Sequence, residues 1–202
     1  MEHVDGRFAG VEGVELYWQG WLPDAAPRGV LLICPGMGEH SGRYATVVDA
    51  LRSDGWAVYG LDHRGHGRSG GVRVHVRRYA DFLADFDTFR RTVVARHPDL
   101  RPFLLGHSMG GQIALSLALL DQMTLLRVRA RELRLPLLLQ HGTADRICSP
   151  DGSRALEAAV GTDDLTVRWY DGLWHEIYKE PERAQPLGDL REWLSARAGD
   201  GA

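Results

Sequence analysis

The sequence predicts an α/β fold in which a mostly parallel sheet is covered by helices on both faces. Short apolar runs of strand length alternate with stretches whose apolar residues recur at helical spacing, the pattern of strands joined by crossover helices. The 202 residues, 44% of them hydrophobic, suffice for one sizeable core. The run Pro102-Phe103-Leu104-Leu105 passes through Gly106-His107-Ser108-Met109-Gly110 into a helix-like stretch, Gln112 to Ala118. A strand that reverses sharply into a helix is a feature of such folds.

Each element has its own signal. Val14–Leu22 and Val30–Cys34 read as strands, and the turn formers Pro23 to Pro27 between them predict a hairpin that opens the sheet. Ser41 to Ser53 carries Tyr44, Val47, Val48 and Leu51 at helical spacing and is stopped by Gly55, before the strand Trp56 to Leu61. Glycines crowd the loop that follows, to Gly71. Tyr79 to His97 is predicted as a long amphipathic helix with Phe82, Phe86, Phe89, Val93 and Val94 inward, ended by Pro98. Asp121 to Leu135 is an Arg-rich helical connector, and Pro136 to His141 a fully buried strand leading into Gly142-Thr143-Ala144-Asp145. Ser149 or Asp151 caps a helix through Val160, Leu165–Tyr170 is a strand, and Glu182 to Ala198 is a closing helix with Leu187, Leu190, Trp193 and Leu194 inside. The expectation is a single domain over residues 1–202, with halves 1–120 and 136–202 around a connector at 121–135.

Composition narrows the function classes. Met1 to Gly13 has no apolar core of a signal peptide and no run reaches membrane-spanning length, so a cytoplasmic location is expected. A net charge of −3, with 23 arginines against one lysine, gives no basic field for nucleic acid. Arg77-Arg78 and the group Arg127, Arg129, Arg131 and Arg134 read as solvated helix faces. Cys34 and Cys148 have neither disulfide-scaffold nor metal-ligand spacing and read as small buried side chains, so no metal and no cofactor is expected. The alternative for Cys148, three residues past Asp145, is a place beside the pocket.

The chemistry starts at Ser108. A strand–turn–helix elbow exposes its Oγ, glycines two residues to either side leave room for the crowded backbone, and the following helix turns its positive end toward the reaction centre. A serine hydroxyl needs a base within hydrogen-bond reach and an acid that orients the base. In open α/β sheets such groups gather in loops beyond the carboxyl ends of strands. Asp145 follows one strand and His175 another, in the chain order serine, acid, histidine that an α/β-hydrolase arrangement demands.

Nine histidines compete for the role of base. His63 and His66 lie in the glycine-rich loop, where packing is their expected role and a metal pair lacks a third ligand. His107 adjoins the nucleophile and is expected to point away from it, and His141 lies in an apolar strand and reads as structural. Asp171, the rival acid, shares a loop with His175. The loop Pro35-Gly36-Met37-Gly38-Glu39-His40 follows the strand ending at Cys34, so the main-chain N–H groups of Met37 and Met109 are the predicted oxyanion donors.

These residues resemble the monoacylglycerol lipase and lysophospholipase branch of the α/β-hydrolases. Gly36-Met37-Gly38-Glu39-His40-Ser41-Gly42-Arg43-Tyr44 is similar to the family's oxyanion loop and Asp62 to Gly70 to its Asp-His-Arg-Gly-His-Gly-x-Ser-x loop. Gly106 to Gly111, His141-Gly142-x-x-Asp145 and Trp174-His175 complete the set. The resemblance implies a serine esterase acting on a monoacylglycerol or similar single-chain ester, with Glu39 and Arg43 toward the alcohol end of the substrate; a loop salt bridge is the alternative for that pair. Haloalkane dehalogenase or epoxide hydrolase chemistry would need a carboxylate where Ser108 stands.

The chain departs from the family in two places. Pro35 stands where the family usually has histidine, which removes one N–H and stiffens the turn. The family also carries a further strand and a cap between the serine helix and the acid-bearing strand, for which this chain has only 121–135. The loss is expected near Leu119 to Met123, by natural deletion, by engineering or by residues left out of the sequence. An uncapped acyl site would favour transient membrane contact and self-association. A scaffold or binding protein disabled by that loss is the alternative function.

Overall fold

The predicted alternation of strand and helix runs through residues 2–118 and 130–198, the residues that a computed structural model of the chain describes. The chain divides into two units, Met1–Leu117 with Ala198–Ala202, and Ala118–Arg197. The first contains β1 (Glu2–Ala9), β2 (Glu15–Leu22), β3 (Gly29–Cys34), α1 (Ala45–Arg52), β4 (Trp56–Leu61), α2 (Tyr79–Val94), β5 (Pro102–Gly106) and nearly all of α3 (Met109–Ala118).

Its five strands are ordered β1-β2-β4-β3-β5. The parallel register Val30↔Pro102 to Cys34↔Gly106 brings the ends of β3 and β5 side by side. Every residue of β3 and β4 is buried, as parallel strands covered on both faces must be. Val30, Leu32, Cys34, Ala57, Tyr59 and Leu61 join Phe82, Phe86, Phe89 and Val93 of α2 and Ile113 of α3 in one core. Residues of the other parity, Leu31, Ile33 and Val58, point to the opposite face, where α1 buries Val47, Val48 and Leu51. Burial of each such side chain contributes about 1.5–3 kcal/mol.

The hairpin predicted between Val14–Leu22 and Val30–Cys34 is not formed. β2 pairs antiparallel with β1 on one side and β4 on the other, so it is not a neighbour of β3. β4 stands between β2 and β3, and the other edge of β2 is taken by β1, whose charged sequence Glu-His-Val-Asp-Gly-Arg-Phe-Ala carries little apolar signal.

Two acids on α2 are buried, Asp81 and Asp85, and a guanidinium compensates them. Arg64 donates to Asp85 through Nε at 2.6 Å and Nη2 at 2.9 Å, and its Nη1 lies 3.9 Å from Asp81. The Val11 amide donates to Asp85 Oδ1 at 2.9 Å, so one carboxylate fixes the glycine-rich loop, α2 and the turn after β1. Removing one partner of a buried pair of this kind typically costs about 3–5 kcal/mol.

The second unit contains β6 (Leu137–Gly142), α4 (Pro150–Ala159), β7 (Leu165–Tyr170) and α5 (Ala184–Ser195), preceded by a 3₁₀ turn at Ala130–Glu132. β6 and β7 pair in parallel from Leu137↔Leu165 to Gly142↔Tyr170. β6 is half-buried except at Gly142, not fully buried as expected; among the described residues its one strand neighbour is β7. Ser149 caps α4 by accepting the Asp151 amide, with proline in the first turn. α5 buries Pro186, Leu190 and Leu194. The predicted connector between Asp121 and Arg129, and the expected deletion near Leu119 to Met123, lie outside the described residues. No helix among the described residues is long and apolar enough to cross a membrane.

Candidate active site

β5 ends at Gly106 and α3 begins at Met109, so the chain reverses within two residues. Ser108 absorbs the reversal with φ +54°, in the left-handed region that a non-glycine residue occupies at a cost of about 1–3 kcal/mol. The Gly110 amide donates to the His107 carbonyl at 2.8 Å and the Gly111 amide to that of Ser108 at 2.9 Å. The flanking glycines are required by space. A Cβ at 110 would lie 1.9 Å from the Cys34 carbonyl oxygen, and one at 106 would lie 2.5 Å from that of Gly110. Met109 is the first residue of α3, and its N–H has no acceptor within the helix.

The loop after β3 packs against this elbow. A Cβ built on Gly36 would stand 3.2 Å from that of Ser108, so Met37, the next residue, is carried on backbone adjacent to the hydroxyl. Glu39 holds the loop in place and is only 6% exposed. Its Oε2 accepts the Gly36 amide at 3.0 Å and the Tyr44 hydroxyl at 2.8 Å, and lies 2.7 Å from His107 Nδ1; its Oε1 accepts Arg43 Nε at 3.2 Å. Burial and the neighbouring Glu39 charge push the Tyr44 hydroxyl far above the usual tyrosine range. His107 is directed to Glu39, a role that its position in the sequence did not disclose.

In the second unit, the loop after β6 carries Asp145 and the loop after β7 carries His175. The Thr143 amide donates to the Tyr170 carbonyl at 2.9 Å and the Ala144 amide to that of Leu173 at 3.0 Å, which joins the two loops. Gly142 makes the approach possible, since a Cβ there would lie 2.2 Å from the Leu173 carbonyl oxygen. Asp145 Oδ1 accepts the amides of Ile147 at 2.8 Å and Cys148 at 2.9 Å. Its Oδ2 accepts His175 Nδ1 at 2.8 Å and lies 3.2 Å from His141 Nε2. Burial alone would raise this carboxyl's pKa, but the hydrogen bonds from His175, Cys148 and Ile147 outweigh it and hold the group below the usual range. With Nδ1–H directed to the carboxylate, the neutral imidazole of His175 carries its basic lone pair on Nε2.

His141, read from the sequence as structural, supports the acid: it reaches the Cys148 carbonyl at 3.1 Å as well as Asp145, and its Nδ1 lies 2.7 Å from Ser153 Oγ. The signal available beforehand was its position four residues before Asp145. Asp171 accepts from Thr143 Oγ1 at 3.1 Å, whereas His175 pairs with Asp145. His63 and His66 are buried, with the His63 ring 5.3 Å from that of Phe82. Cys34 is buried as expected, but Cys148 is half-buried, because it lies in the exposed turn between β6 and α4. Ser108, Met37, Met109, Glu39 and Arg43 belong to the first unit, and Asp145 and His175 to the second.

The family model described as Hydrolase_4, serine aminopeptidase S33, matches residues 25–127 and 117–182. A monoacylglycerol lipase of Mycolicibacterium smegmatis is 31% identical, over 93% of this chain and 95% of its own. That alignment runs over 266 positions against a chain of 202, so at least 64 positions lack a counterpart here. The two family segments meet at 117–127, where the resemblance placed the loss of the cap. Among solved structures, a thermostable carboxyl esterase from Bacillus coagulans superposes with a TM-score of 0.87 at 16% identity, over 98% of this chain and 99% of that one. An α/β serine hydrolase without a lid, from Xanthomonas campestris, gives 0.78 at 19% identity over 97% and 95%.

Proposed function

Because the chain belongs to this α/β-hydrolase family and is a carboxylic ester hydrolase, we propose that Ser108, His175 and Asp145 act together as its triad on a monoacylglycerol or similar single-chain ester. The two units are then halves of one hydrolase domain. The observation that carries the reading is the 2.8 Å bond from His175 Nδ1 to Asp145, which leaves Nε2 as the base. The left-handed backbone of Ser108 supplies the matching nucleophile.

Ser108 Oγ attacks the ester carbonyl as His175 Nε2 takes its proton, and Asp145 stabilises the imidazolium that results. The Met37 and Met109 amides stabilise the oxyanion. The imidazolium returns the proton to the departing alcohol, and water repeats the sequence on the acyl-enzyme. The partly exposed Arg43 guanidinium serves the alcohol end as donor, and the buried Glu39 carboxylate holds it there. The monoacylglycerol lipase of M. smegmatis supports the substrate class, and the missing cap favours shorter or more soluble acyl chains.

Labelling by a fluorophosphonate probe, with turnover of a p-nitrophenyl ester series of increasing chain length, tests this. Labelling and hydrolysis should both vanish in Ser108→Ala and the rate should peak at short chains. Unchanged hydrolysis by Ser108→Ala would overturn the serine mechanism.

A further inference from the structure

One ligand atom from each of Asp145, Cys148 and His175 lies within 4.8 Å of the others. The pairing of β6 with β7 assembles the group, bringing His175, 30 positions beyond Asp145, to that carboxylate. We propose that these three residues form a binding site for a divalent ion of the zinc class, and that the bound ion inhibits the enzyme by withdrawing His175 from catalysis. The inhibitory clause rests on the triad proposed above; the binding clause does not.

A thiolate, an imidazole nitrogen and a carboxylate oxygen suit zinc or cobalt and discriminate against magnesium and calcium, which prefer all-oxygen shells. Zinc bonds of about 2.0–2.3 Å set neighbouring tetrahedral ligands about 3.3–3.6 Å apart, so the three side chains close on an ion by shifts of about an ångström. The fourth position falls to water. The carboxylate is already oriented for the task by the amides of Ile147 and Cys148 and by His141, which acts on the ligand from outside the shell. Cys148 and His175 are only half-buried, which leaves a path from solvent. On coordination the thiol gives up its proton to solvent and no electron is transferred; the ion takes the place of the proton on His175 Nδ1, the nitrogen that faces Asp145, and that proton moves to Nε2, which then has no lone pair to act as base.

Cobalt provides a readout independent of turnover. Metal-stripped full-length Ser108→Ala protein, titrated with CoCl₂, should develop a thiolate-to-cobalt charge-transfer band that ZnCl₂ displaces and MgCl₂ does not. Cys148→Ala and Cys148→Ser, each placed in the Ser108→Ala background, should lose the band. In the protein with Ser108 intact, ZnCl₂ should inhibit p-nitrophenyl butyrate hydrolysis reversibly on addition of EDTA. Cys148→Ala should raise the apparent inhibition constant at least about tenfold, relative to its own metal-free rate. Absence of the cobalt band, or its persistence in both Cys148 variants, overturns the site. A band accompanied by full turnover at saturating zinc overturns the inhibitory role, whereas failure of the serine mechanism would show in the metal-free Ser108→Ala rate.

Discussion

His107 Nδ1 lies 2.7 Å from Glu39 Oε2, the oxygen that also accepts the Gly36 amide at 3.0 Å. The residue before Ser108 and the loop that carries Met37, the proposed oxyanion donor, are therefore held by one buried carboxylate. A charge-assisted hydrogen bond of this kind is worth about 1.5–3 kcal/mol. Glu39→Gln is expected to lower kcat about 10–100-fold while KM changes less than about threefold, read in steady-state hydrolysis of p-nitrophenyl butyrate. A raised KM with kcat retained would instead identify Glu39 as a contact to the alcohol end of the substrate.

The elbow leaves no space for a methyl group at 110. Gly110→Ala would bring a Cβ to 1.9 Å from the Cys34 carbonyl oxygen, so the strand end or the helix must move. Activity should fall at least about 100-fold and stability by about 2–4 kcal/mol in urea unfolding. At Gly188, within α5, a Cβ would meet nothing within 4 Å. Gly188→Ala should raise stability by about 0.5–1 kcal/mol and leave the rate alone.

Asp145 fixes which nitrogen of His175 carries the proton, so the amide substitution should cost far more than loss of a neighbour. Asp145→Asn is expected to reduce kcat by about 10⁴, as a misassigned tautomer does in other triads. His141→Gln removes one supporting bond to the carboxylate and should cost about 3–30-fold. Equal losses in the two variants would make His141 a direct participant.

His63 is buried against Phe82 and Phe86, and burial, reinforced by the neighbouring His66, pushes its imidazole pKa down to about 3. In the unfolded chain the same ring takes its proton near pH 6.5, so between these values the unfolded state binds more protons. The resulting stability is complete above about pH 6.5 and is lost as pH falls toward 3, at up to about 1.4 kcal/mol per pH unit. Urea unfolding of His63→Phe should show a shallower decline between pH 6.5 and 5 than the unsubstituted protein. Parallel declines would assign the acid sensitivity to other groups.

Local pattern disclosed most of the fold. The Phe82, Phe86, Phe89 and Val93 stripe is the buried face of α2, and Leu165–Tyr170 is β7 as read. Glycine spacing around Ser108 marked the elbow because steric demand is local to five residues. What stayed hidden depends on residues far apart in the chain. β1 has too few apolar residues to announce itself and exists because β2 offers it an edge. The burial of Asp81 and Asp85 runs against composition and becomes affordable only when Arg64 arrives from another loop. Glu39 with His107 is a polar pair of the same kind, made where the ends of β3 and β5 lie side by side, whereas His141 and Asp145 stand only four residues apart.

The division between Leu117 and Ala118 leaves Ser108 in one unit and the pair Asp145 and His175 in the other. One completes the serine turn and its amides within its own hydrogen bonds, and the other completes the acid and imidazole within its own. A change of chain length at that junction therefore touches none of the hydrogen bonds described for either group.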